Sequence, residues 1–175
     1  MKSAARPSRT EAELSDAAGH VGYEVDMICF IVEHYPSIIG SPAVDNVENM
    51  ALESFLVHYR NVRDFLCPVT STRQPDPGDR IGYQRALDSV LAFDFNQGWQ
   101  EEAKDWKEVV PNERERINKQ LSHISYSRSQ LNPKWPLPEM KNALVNVFRE
   151  FLKSLPDERQ QYFFQPTRWL PRALW

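Results

Sequence analysis

The stretch from residue 52 to residue 66 limits this chain more than any other. Leu52, Phe55, Leu56, Tyr59, Val62, Phe65 and Leu66 recur at spacings of three and four, which lays them along one side of an α-helix. Such a stripe is stable only when other elements cover it. Asp45 or Asn46 is placed to cap this helix, and Glu48 sits in the first turn, where the macrodipole favours an acid. Pro68 stops it.

The same period recurs elsewhere. Val25, Ile28, Cys29, Val32 and Tyr35 predict a helix from Gly22 to Tyr35 that Pro36, Gly40 and Pro42 end. A strand over Ile28–Val32 is the competing reading, because a short apolar run fits either. Pro68 to Gly82 reads as a long surface loop. A third helix is expected from Asp79–Tyr83 through Leu87, Val90 and Leu91, with a bend at Gly98 before Trp99–Trp106. Asn112 and Glu115 have capping-box spacing and open a fourth helix with Ile117, Leu121 and Ile124 on its core face. After the proline-rich connection Asn132–Pro138, a fifth helix runs from Glu139 to Leu155 with Met140, Leu144, Val147, Phe148 and Phe151 inward. Pro156 ends it.

The expected fold is therefore all-α, a single up-and-down helical bundle of about five helices. The bundle spans residues 21–155, after a disordered leader at 1–20 and before an aromatic tail at 156–175 that packs as an extended strap. A chain of 175 residues buries a real core. Its 41% hydrophobic and 26% charged content is that of a globular protein. A net charge of −3 argues against a surface that coats nucleic acid generally, and leaves room for a local basic patch. No apolar run approaches the roughly 20 residues of a membrane span. No apolar segment of signal-peptide type follows the basic first residues, so a cytoplasmic location is expected. Cys29 and Cys67 read as buried thiols in a reducing compartment.

Few residues suggest chemistry. Arg116 and His123 stand seven apart on the fourth helix, about −20° apart around it and roughly 10 Å along it. With Asn118 they would lie on or near one side. An arginine fork holds a phosphate, and an imidazole moves a proton near neutral pH. The structural alternative pairs Arg116 with Glu113 and sets His123 beside the core. On the second helix, His58 with Ser54 and Asn61 forms a polar strip, and Glu53, Arg60 and Asp64 form another. These strips either complete a site with the fourth helix, as binding residues His58, Asn61 and Arg60, or are a hydrogen-bonded histidine and a solvated face in which Arg60 pairs with Asp64.

The Arg116–His123 pattern resembles that of the HEPN superfamily, small all-α domains whose ribonuclease members carry an arginine, four to six residues and then a histidine. Six residues separate the pair here. The position after the family's arginine is often polar; here it is Ile117, followed by Asn118. The helix Glu53–Phe65 is similar to the early helix of HEPN-like bacterial proteins, and the resemblance spans roughly residues 45–155. It implies RNA binding or metal-independent RNA cleavage at a homodimer interface, with Arg116, Asn118 and His123 as the site residues. A toxin or phage-defence role, or an inactive member that only binds, goes with it.

Two other classes remain open. A non-catalytic interaction module would use the aromatic tail, Tyr162 to Trp175, to hold a protein partner or a second subunit. A metal-binding bundle would converge His34, His58 and His123, although no HxxxH, HExxH or ExxH pair supports it. No cofactor is expected. The chain has no phosphate loop, nucleophile elbow, CxxC or EF-hand loop. Trp99 and Trp106 are expected to bury against the bundle rather than stack on bases.

Overall fold

The computed structural model describes residues 8–39, 44–67, 89–99, 107–122 and 135–163. Six helices lie among them and no strand: α1 (Glu11–Ile39), α2 (Val44–Leu66), α3 (Ala92–Phe95), α4 (Glu113–Ser122), α5 (Leu137–Lys153) and α6 (Asp157–Phe163). The all-α bundle expected from the spacing is the fold, and the strand reading of Ile28–Val32 falls, because α1 runs through it.

α1 and α2 form an antiparallel pair. The Tyr35 hydroxyl donates to Glu48 at 3.1 Å near one end, and Asn61 donates to Glu24 at 3.2 Å further along. α5 packs against both helices, α4 and α3 against α2, and α6 against α1. The α2 stripe is the centre of the core: Phe55, Leu56, Tyr59, Val62, Phe65 and Leu66 are all buried. α5 adds Met140, Leu144, Phe148 and Phe151. Phe151 is the hub of an aromatic cluster, with the rings of Phe65, Phe95, Trp99, Phe148 and Phe163 centred 5.3–6.1 Å away. Edge-to-face contacts predominate in it, which suits the ring quadrupoles.

Four boundaries differ from the expectation. The leader expected through residue 20 gives way to α1 at Glu11. Thr10 and Glu13 form a capping box there: Glu13 donates its N–H to the Thr10 hydroxyl at 3.3 Å and accepts from the Thr10 N–H at 2.8 Å. Pro36 lies inside α1, which continues to Ile39; so close to the end, a missing N–H removes a single intrahelical bond. Val90 and Leu91 are not helical, and the one-turn α3 follows, held as Asp94 accepts the Leu91 N–H at 2.8 Å. The start of the tail is helical rather than an extended strap. In α6, Arg159 and Tyr162 reach Glu11 at 2.6 and 3.1 Å, and Phe163 is buried.

Side chains close several helix ends. Trp99 Nε1 donates to the Leu66 carbonyl at 2.9 Å, filling an acceptor left open at the end of α2. Asn96 donates to the Ser154 carbonyl at 3.0 Å, which ties the residue after α3 to the end of α5. No described helix is long and apolar enough to cross a membrane. The expected loop at Pro68–Gly82, the start of the third helix, Trp106, Ile124, and the tail beyond Phe163 lie outside the described residues.

Candidate functional site

The seam between α2 and the start of α4 is the most highly charged interior region described. Tyr59 and Arg63, one turn apart on α2, both face α4. Glu113 enters from the first turn of α4 and is fully buried. Its carboxylate accepts from the Tyr59 hydroxyl at 3.1 Å and from the Val109 N–H at 3.1 Å, with Arg63 Nη1 also 3.1 Å away. Arg63 Nη2 continues to Glu108 at 3.0 Å. Burial raises the Glu113 carboxyl above its ordinary value, and Arg63 opposes that shift most strongly. Glu108 is partly desolvated too, yet the Arg63 hydrogen bond and charge hold it below the ordinary value. Tyr59 is raised by burial and by the Glu113 charge.

This network changes two expected pairings. Glu113 takes Arg63 rather than Arg116. Asp64 stands 3.2 Å from Arg114 on α4 rather than pairing with Arg60 on its own helix. Burial raises the Asp64 carboxyl against the pull of Arg114 and Arg60. The Asn112–Glu115 box does not form either. Asn112 has a positive φ of 53°, unlike the extended backbone of a usual N-cap, and Glu115 turns to Lys119 at 2.7 Å.

Outside this seam lies a polar cleft of about 510 Å³, lined by Glu108, Asn112, Arg114, Glu115, Asn118 and Lys119. Asn118 is thus in the cleft, whereas Arg116 is not among its lining residues. Two residues apart on a helix means opposite sides, which corrects the expectation of a shared side. The Arg116 guanidinium carbon lies 4.8 Å from the Trp135 ring centroid, a cation–π contact. Its Nε is buried without a hydrogen-bond partner among the described residues. His123 lies outside the described residues.

The polar strip on α2 faces α1 and does not meet α4. His58 Nδ1 is 2.6 Å from Glu24 Oε2, and Asn61 donates to the same oxygen at 3.2 Å. The Tyr23 ring meets the His58 imidazole edge-on at 5.8 Å. His58 is thus the hydrogen-bonded histidine of the structural alternative, and Arg60 is half-buried without joining it. Glu24 was missed because its partners are more than thirty residues away. An acid flanked by Val25 and Ile28 was the available signal. His34 is exposed, and its ring lies tilted against Phe30 with the centroids 4.3 Å apart. It lies ten residues from Glu24, roughly 15 Å along α1. Among the described residues no group of three metal-ligating side chains could hold an ion.

The exposed large hydrophobic residues described are Tyr23 (51%), Phe30 (39%), Val47 (43%) and Met50 (68%), and all belong to α1 or α2. Tyr23, Met27, Phe30 and His34 follow at spacings of four, three and four, so they form one stripe. It runs down the side of α1 opposite Ala18, Val25 and Ile28. Cys29 and Cys67 are half-buried thiols, not joined in a disulfide. Burial pushes the Cys29 thiol up, and the Cys67 thiol up to about 11. Comparison of the chain with protein-family models, with curated proteins and with solved structures finds no match.

Proposed function

We propose that this chain is a non-catalytic helical interaction protein that works through the outer face of α1 and α2. The observation that carries this reading is the distribution of exposed apolar side chains: Tyr23, Phe30, Val47 and Met50 all sit on that one helix pair. The charged groups described elsewhere are largely spent inside the fold. Arg63 serves Glu113 and Glu108, Arg114 serves Asp64, Lys119 serves Glu115, and His58 serves Glu24. The polar cleft carries two acids beside its two cations, a poor electrostatic match for a phosphodiester chain. A photo-reactive residue placed at position 30 in the expressing cell tests the proposal. It should give a discrete protein adduct that Met50→Asp abolishes. Adducts no stronger than those from position 139, exposed on α5, would sink it.

A ribonuclease of the HEPN type is the second reading, and Arg116 is what favours it. Its guanidinium is held against the Trp135 ring, which would fix the fork in advance of an oxyanion. In that reading Arg116 holds phosphate, His123 moves the proton, and Asn118 acts from the other side of α4. Equal RNA binding and no cleavage by wild-type and His123→Ala proteins would remove it.

A further inference from the structure

We draw no further inference here: the strongest candidate, the polar cleft beside the first turns of α4, belongs to the site already described, where its Arg114 and Lys119 pair with Asp64 and Glu115, and nothing among the described residues points to a ligand for its Asn112 and Asn118.

Discussion

Removing Arg63 should damage the fold much more than neutralising Glu113, although the two are partners. Glu113 is fully buried, and Arg63 is the cation against its carboxylate, at 3.1 Å. Arg63→Met leaves a buried carboxylate with two neutral donors, the Tyr59 hydroxyl and the Val109 N–H. Breaking a buried pair in this way costs about 3–5 kcal/mol. Glu113→Gln leaves Arg63 with Glu108 at 3.0 Å; its one amide oxygen still accepts from the Val109 N–H, and its NH2 can donate to the Tyr59 hydroxyl, which rotates to accept. Its cost should be nearer 1 kcal/mol.

The asymmetry should also depend on pH. A folded-state value raised above the unfolded one means that the folded protein binds the proton more tightly. The contribution of Glu113 to stability is then fully present below the ordinary value of 4.5 and is lost as pH rises through the folded value. Without Arg63 the carboxyl is raised further, so the deficit of Arg63→Met should be largest near neutral pH and shrink toward about pH 5. Urea unfolding followed by circular dichroism at both pH values measures this. Equal losses for the two variants, or a pH-independent deficit in Arg63→Met, would refute the reasoning.

Other consequences follow from the same contacts. Phe151→Ala should cost about 3–5 kcal/mol in urea unfolding, because it opens a cavity among the surrounding rings; a loss below about 1 kcal/mol would show that the cluster repacks around the gap. Thr10→Ala should cost about 1 kcal/mol, with faster amide exchange concentrated in the first turn of α1, and unchanged exchange there would contradict the capping role. The Cys67 thiol, raised to about 11 by burial, should react with an aromatic disulfide reagent near pH 8 far more slowly in folded than in urea-unfolded protein. Equal rates in the two states would count against that burial.

The fold was legible where a helix carries its own evidence. α2 and α5 each have an apolar stripe long enough to show the 3.6-residue period, and Pro68 and Pro156 mark where each must stop. The first turns of α1 carry no such stripe; between Thr10 and Gly22 they offer Leu14, Val21 and alanines. The Thr10–Glu13 box was the local signal for that start. What holds this end down is Arg159 and Tyr162, about 150 residues away in sequence. α6 was misread for the same reason, since its order depends on Glu11 and on a core pocket for Phe163. Neither contact can be read from a window of neighbouring residues.

The site was less legible because spacing along one helix gives an angle and says nothing of what stands opposite. His58 and Asn61 do share a side of α2, as the sequence implied, yet their common partner is Glu24 on α1 and not a residue of α4. Arg116 looked free to hold an anion because its neighbours in sequence are polar, and only Trp135, nineteen positions on, gives it a packing role. The exposed stripe on α1 has the opposite character. Tyr23, Met27, Phe30 and His34 follow a helical period of their own that the reading of Val25, Ile28, Cys29, Val32 and Tyr35 passed over, and the core stripe of Ala18, Val25 and Ile28 lies across the helix from it. A helix apolar on two sides has more surface to cover than the core built by the described residues takes up. That excess, rather than any cluster of catalytic groups, is why the function is sought in what α1 touches.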